Sequence, residues 1–216
     1  MTVNQRVPGS SPGGGANVSN MTKYTYKDDK LVNEQGQSVM MGWERPLMKR
    51  VSELLTFNGG DVLNIGFGMG IVDSYINETN PKSHTIIENH PDVINYIKET
   101  GWESKATFIY SKWQDQIGKL GMFDSIYLDT WNDSRLPYIN DLLDQHLKVD
   151  GTFIIWHNEY EFPMVEKNLP ENYELTYEYM NNDGLIPSSG EQYENGGFYI
   201  DPDSIHITIP IIKRLR

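Results

Sequence analysis

The sequence predicts an α/β fold: a doubly wound, mainly parallel sheet of seven strands with an antiparallel hairpin at its C-terminal edge. Three observations lead there. Short apolar runs alternate with stretches of helical period through most of the chain, the pattern of strands crossed over by helices. One run, Val62–Ile65, passes straight into Gly66-Phe-Gly-Met-Gly70, after which Ile71, Val72, Tyr75 and Ile76 recur at helical spacing. Strand, glycine turn and helix in that order open nucleotide-binding α/β folds. Finally, two strand patterns follow one another near the C-terminus with no helix between them.

In chain order, residues 1–20 form a tail, because Val7–Gly15 is too rich in Gly, Pro and Ser to offset the entropy of ordering. Residues 21–216 form a single domain that begins with a substrate-side arm and helix. Lys23–Gln37 reads as an irregular arm. From Val39 the residues Met40, Trp43, Leu47, Met48, Val51, Leu54 and Leu55 read as one amphipathic helix, with Pro46 early in it and Asn58-Gly59-Gly60 as its stop. Further strands are expected at Thr85–Glu88, Thr107–Tyr110, Phe123–Asp129, Thr152–Trp156, Tyr173–Tyr179 and Ile205–Ile212. Helices are expected at Pro91–Thr100, Trp113–Leu120, Leu136–Leu147 and Phe162–Leu169. Asn181–Asp203, rich in Gly, Asn and Ser, reads as a long loop able to cover a site.

Composition narrows the chemistry. The 216 residues carry 30 acidic and 18 basic side chains, a net charge of −12. Such a surface repels phosphate backbones and anionic lipid, which argues against nucleic-acid and membrane partners and favours a small cationic one. Without cysteine there is no thiolate nucleophile and no Cys-ligated zinc, and no metal site is expected. No apolar run is long enough for a signal segment or a membrane span, so a cytoplasmic protein is the default expectation.

Glu88 ends the second strand of the glycine unit, about 20 residues past the turn, where such folds place an acid on a ribose diol. A solvated strand-end acid is the plainer alternative. NAD-binding folds require G-x-G-x-x-G, and the third glycine would fall at Ile71. The G-x-G-x-G spacing, followed by a strand ending in an acid, points instead to S-adenosylmethionine. Trp113 and Gln114 follow the third strand, where an adenine would meet an aromatic face and an amide; Trp113 as plain core is the competing reading. Asp129 ends the fourth strand, at the carboxyl edge that lines the ligand crevice, although with Asn132 and Asp133 nearby it also suits a turn or helix cap. Glu44, in a first helical turn, is unremarkable by itself.

Taken together, Val39-Met-Met-Gly-Trp-Glu-Arg-Pro-Leu-Met48, Val62-Leu-Asn-Ile-Gly-Phe-Gly-Met69, Ile86-Ile-Glu88, Tyr127-Leu-Asp-Thr130, Lys148-Val-Asp-Gly-Thr152 and Ile207-Thr-Ile-Pro210 resemble the guanidinoacetate N-methyltransferases. The related protein-arginine δ-N-methyltransferases share much of the pattern. The resemblance runs from about Leu31 to Lys213. It implies methyl transfer from S-adenosylmethionine, leaving S-adenosylhomocysteine, to a guanidino group of a small molecule. It also implies that Glu44 and Asp129 are catalytic and grip the substrate guanidinium, whose planar paired N–H donors match carboxylates in fork geometry. Cofactor contacts would come from Met40, Asn64, Gly66, Phe67, Gly68, Met69, Gly70, Glu88, Trp113, Gln114 and Asp129. Substrate contacts would come from Trp43, Glu44, Met48, Asp129, Thr130 and His157. The chain departs from the family at three places. Asn64 replaces the usual acid ahead of the glycines, and Gln114 stands where an acid often lies near the adenine. Trp156-His-Asn-Glu159 replaces small hydroxyl residues that help hold the substrate carboxylate. Arginine methylation in a peptide or protein, a non-catalytic binding module and an NAD oxidoreductase are the alternative functions.

Overall fold

The computed structural model describes residues 21–131, 133–156, 162–182 and 206–216. The tail, His157 and most of the Asn181–Asp203 loop lie outside the described residues. Among the described residues ten strands form two sheets. β1 (Tyr24–Lys27), β2 (Lys30–Asn33) and β3 (Ser38–Met41) make a three-stranded antiparallel sheet. The main sheet contains β4 (Asp61–Ile65), β5 (Ser83–Glu88), β6 (Thr107–Tyr110), β7 (Phe123–Leu128), β8 (Leu147–Ile155), β9 (Tyr173–Asn181) and β10 (His206–Arg214) in the order β6-β5-β4-β7-β8-β10-β9. The strands from β6 to β8 are parallel, whereas β10 runs antiparallel to both β8 and β9. The expected doubly wound sheet and its C-terminal hairpin are therefore present.

Alternation along the central strands fills both faces of this sheet. Val62, Ile86, Tyr127 and Ile154 pack into one core with α1 (Arg45–Thr56), α2 (Ile71–Glu78) and α3 (Pro91–Glu99). Leu63, Ile65, Ile126, Leu128, Phe153 and Ile155 pack into a second core with α4 (Ile139–His146), which α5 (Phe162–Asn168) joins through Val165. Because both faces are covered, the strands are apolar almost throughout. No helix among the described residues is long and apolar enough to cross a membrane.

The arm corrects the sequence reading. Lys23–Gln37 is ordered as strands, turned at Asp28-Asp29, both with positive φ (51° and 58°). Paired positive φ values give the hairpin turn whose twist matches flanking strands. Its usual glycine is absent here, so the signal was hidden. The Asn33 carboxamide accepts the N–H groups of Gln35 and Gln37 and shapes the second turn. Val39 and Met40 belong to β3 and not to the helix, since Met40 pairs with Leu31 of β2 and the chain turns at Gly42–Glu44 before α1 begins. Within α1 the buried Leu47, Met48, Val51, Ser52 and Leu55 keep the predicted helical period, with Pro46 in the first turn. Trp113–Gln116 is only a 3-10 turn, and Leu147 already begins β8.

At the amino ends of β4 and β7, opposite the site, Lys148 Nζ donates to Asp61 (2.9 Å) and Asp124 (2.8 Å), while Asp124 also accepts the Asp61 N–H. Hydrogen bonds from Lys82 and Lys148 hold the Asp61 carboxyl well below the usual carboxylate range. A depressed folded pKa contributes stability at neutral pH that disappears as acid protonates the group. Lys148→Met leaves two neighbouring carboxylates without their shared cation. It should cost about 1 kcal/mol, or roughly 2–4 °C in Tm, at pH 7. The gap to wild type should shrink in thermal melts below about pH 4, where free carboxylates protonate.

Candidate active site

The sheet order reverses direction between β4 and β7, and a crevice opens there at the carboxyl ends of the strands, where open α/β sheets bind ligands. The glycine turn forms one side and Asp129–Trp131 the other. Ile65 O accepts the Asp129 N–H at 2.9 Å, and Ile87 O accepts the Gly66 N–H at 2.9 Å, so the turn is stitched to both neighbouring strands.

The glycines are required by protein as much as by ligand. Gly66 has φ +95°, and a Cβ there would lie 1.9 Å from the Asp129 carbonyl oxygen. Gly70 has φ +67°, and its Cβ would meet the Phe67 ring at 2.4 Å. Phe67 is fully buried against Trp102 and Phe108, so its side chain belongs to the core. From the arm, Tyr26 Oη donates to Gly68 O at 2.8 Å, and Met40 Sδ lies 3.2 Å from the Met69 N–H.

Beneath the turn lies a buried polar network that sequence reasoning did not anticipate. Asn64, fully buried, donates through Nδ2 to Gly66 O (2.9 Å) and to Asp73 Oδ1 (2.8 Å). Asp73, also fully buried on α2, faces His84 Nε2 at 3.1 Å, and His84 Nδ1 lies 2.8 Å from Asn77 Oδ1. An amide at position 64 is what a neighbouring buried carboxylate requires, because a carboxylate can only accept. The acid expected on β4 is thus found in the first turn of α2, with Asn64 relaying it to the backbone of the glycine turn.

Glu88 plays a wider part than a ribose ligand would. Its Oε2 accepts the Phe67 N–H (3.0 Å) and its Oε1 accepts those of Asn89 and His90 (2.7 Å each). Three of a carboxylate's roughly four acceptor positions are therefore occupied, leaving about one for a ligand hydroxyl. The same acid ties the β4–α2 turn to the β5–α3 turn.

A cavity of about 560 Å³ fills the crevice, a size typical of small-molecule sites. Among the residues singled out from sequence, Met40, Gly66, Gly68, Glu88, Trp113, Gln114, Asp129 and Thr130 line it. Asn64, Phe67, Met69 and Gly70 shape the turn from behind. Trp43 and Glu44, in the turn before α1, and Met48, in its first turns, lie outside the cavity wall. Sequence reasoning missed Tyr24, His90, Asp133 and Tyr138, which also line it. Tyr24 stacks flat on His90 at 3.6 Å and meets Trp131 edge-on at 6.2 Å, so the arm closes one end of the cavity. None of these contacts has a local sequence signature.

Asp129 is the electrostatic centre of the crevice. Burial pushes its carboxyl up to about 6, opposed by the nearby charge of Arg135 and by a hydrogen bond from Tyr127 Oη (3.3 Å). The same Tyr127 Oη lies 3.5 Å from Met48 Sδ, so α1 packs against the side chain that holds Asp129. Glu44, one helical turn before Met48, is buried and accepts the Met41 N–H at 2.8 Å.

Asn64→Asp would set two buried carboxylates against one another and remove the donor to Gly66 O. A loss on the order of 2–4 kcal/mol at pH 7 is expected in urea or thermal unfolding, with partial recovery in Asn64→Asp/Asp73→Asn. A single variant as stable as wild type would show that the network does not hold the turn.

Comparison with known proteins agrees with this geometry. The family model for guanidinoacetate N-methyltransferase matches residues 16–153, more than half of the chain. Protein arginine N-methyltransferase 2 of Candida glabrata is 42% identical over 142 residues, covering 60% of this chain and 34% of that protein. Its namesake from Saccharomyces cerevisiae is 36% identical over 151 residues, covering 61% and 36%. The chain thus spans about a third of the length of these curated relatives. Among solved structures, the ribosomal protein L11 methylase from Lactobacillus delbrueckii subsp. bulgaricus aligns with a TM-score of 0.57 at 17% identity, over 80% of each chain. The O-methyltransferase TomG from Streptomyces achromogenes aligns with a TM-score of 0.54 at 11% identity, over 79% of this chain and 80% of its own. At those identities the likeness is one of fold, the Rossmann-like methyltransferase fold. With that fold, and a family match that takes in the arm, the glycine turn and Asp129, the chain belongs to the guanidinoacetate N-methyltransferase family.

Proposed function

We propose that the chain is an S-adenosylmethionine-dependent N-methyltransferase acting on a guanidino group. The observation that carries this reading is the position of Asp129. A carboxyl with a raised pKa stands in the cavity wall, its carbonyl packed against the first glycine of the turn.

The residues present fit the cofactor. A cavity of suitable size lies against the glycine turn, with Glu88 retaining one acceptor position for a ribose hydroxyl and Trp113 and Gln114 opposite for a base. When bound, S-adenosylmethionine supplies an electrophilic methyl group on a cationic sulfonium. The protein's own contribution is to bring a second cation, the guanidinium, to the crevice and to accept its proton. Asp129 in the cavity wall would offset the repulsion between the two cations, with Glu44, outside the wall, the second acid that the family resemblance supplies; carboxylate oxygens match paired N–H donors. A guanidino nitrogen that gained the methyl group as the carbon-sulfur bond broke would leave conjugation and become acidic, and Asp129 is placed to take its proton. A carboxyl with a pKa near 6 is ionised at neutral pH yet more basic than an ordinary aspartate. A cavity that held the guanidino nitrogen close to the methyl donor would supply much of the remaining acceleration.

The family description favours a small guanidino acid as acceptor, and this is the first reading. A second reading, arginine within a peptide or protein, is favoured by the names of the fungal relatives. Methyl transfer from labelled donor to guanidinoacetate, arginine, agmatine and arginine peptides decides between them. No transfer to any of these would leave a binding module as the better account.

Asp129→Asn and Glu44→Gln should each lower kcat/KM at least about a hundredfold, the usual scale for a positioned proton acceptor. Near-wild-type turnover in either would sink the assignment. In the wild type, kcat/KM should rise with pH through about 6 as Asp129 ionises. The linkage has the opposite sign for stability. With the folded pKa above the unfolded one, Asp129 favours folding least at neutral pH, so Asp129→Asn should be relatively more stable at pH 7 than at pH 4.

A further inference from the structure

We propose that Asp133 fixes the base specificity of the cofactor cavity, by dictating which end of the Gln114 amide is left for a ligand. The inference rests on the cofactor reading above and concerns a residue with no assigned role.

Asp133 accepts a hydrogen bond from Trp113 Nε1 at 2.6 Å, and Gln114 Nε2 lies 2.8 and 2.9 Å from its two carboxylate oxygens. Ser134 O is a further acceptor for the same Nε2 at 3.4 Å. Trp113 is itself almost fully buried and meets Tyr138 edge-on at 5.9 Å. The carboxylate is therefore held by a rigid indole on one side and grips the amide on the other. All five residues line the cavity.

The chemistry leaves no choice of amide orientation. An ionised carboxylate has no proton to give, and a backbone carbonyl has none either, so Gln114 must turn its NH₂ toward them. No protein donor among the described residues is bonded to Gln114 Oε1. The end of the amide presented to a ligand is consequently a pure acceptor. A free glutamine would bind a 6-amino or a 6-oxo purine equally well by turning over. This one accepts from a 6-amino group and meets a 6-oxo group oxygen to oxygen.

The pattern repeats what lies beneath the glycine turn. There Asn64 donates to Asp73 at 2.8 Å; here Gln114 donates to Asp133. In both, an amide occupies a position where an acid is usual, and a carboxylate beyond it removes the amide's ambiguity. Asp133 is thus a positioning residue acting through Gln114.

The test is calorimetric titration of the full chain with S-adenosylhomocysteine and with its 6-oxo analogue, S-inosylhomocysteine. Wild type should prefer the adenosyl compound by about tenfold or more, the scale of one misdirected polar contact. In Asp133→Asn the amide at 114 is free to reverse. Adenosyl affinity should fall while inosyl affinity holds or rises, bringing the ratio to within about threefold. Gln114→Glu/Asp133→Asn again places a pure acceptor at 114 with a donor behind it, and should restore the preference. Equal weakening of both ligands in Asp133→Asn, with the ratio unchanged, would overturn the proposal and leave Asp133 a merely structural acid. Failure of the double variant to regain the ratio, while its melting temperature matches wild type, would do the same. If wild type binds neither compound, the cofactor reading falls and the proposal with it. Adenosyl binding without any base preference overturns the proposal alone.

Discussion

The close approach of the Asp129 carbonyl to Gly66 is the constraint on which the site depends. A methyl group at residue 66 would sit inside bonding range of that oxygen, so the two strand ends meet only because one residue has no side chain. The contact places the carboxyl-bearing end of β7 against the turn that opens α2, at the point where the sheet reverses direction. Ile65 and Ile87 complete the junction by accepting the N–H groups of Asp129 and Gly66. The glycine turn and the Asp129 carboxyl are thus parts of one joint, and neither can shift without the other.

Charge around this joint follows a consistent rule. The structural carboxylates around it are furnished with donors, whether buried, as Glu88 and Asp73 are, or half-buried, as Asp133 is. Glu88 has three backbone N–H groups, Asp73 has Asn64 and a nearby histidine, and Asp133 has an indole and an amide. Among the described residues Asp129 receives one long hydrogen bond, from Tyr127, and burial outweighs that bond and the nearby charge of Arg135. Poor satisfaction is costly for a structural acid, but it leaves this one with the basicity and the vacant acceptor positions that a guanidinium would use.

Much of this was legible in the sequence because it is written locally. The parallel strands are apolar runs, the glycine turn has a fixed spacing, and α1 keeps its period from Leu47 to Leu55. The family resemblance located Asp129 and Gln114 in the cavity wall. What escaped notice depends on residues distant in sequence. The arm folds through a hairpin turn made of two aspartates, without the glycine that would advertise it. Met40 sits at helical spacing from Trp43 and Leu47, yet pairing with β2 draws it into a strand. Asp73 looks like an ordinary first-turn acid until the fold brings Asn64 and His84 to it. Periodicity reports which face of an element is buried; it carries no information about which polar side chain waits on the other side.

The triple engagement of Glu88 makes ligand binding and local folding a single equilibrium. The acid that holds the two turns together is the one whose remaining lone pairs face the cavity. A hydroxyl bound there adds a fourth donor to a carboxylate already serving as a structural rivet. By mass action, a ligand present at about a hundred times its Kd adds roughly 2.7 kcal/mol to the stability of whatever unit must open to release it. That unit includes both turns, and through the Tyr24–His90 stack it reaches the arm. Saturation with the cofactor should therefore be felt as slower backbone exchange at residues that never touch it, making the small molecule an honorary part of the protein's own framework.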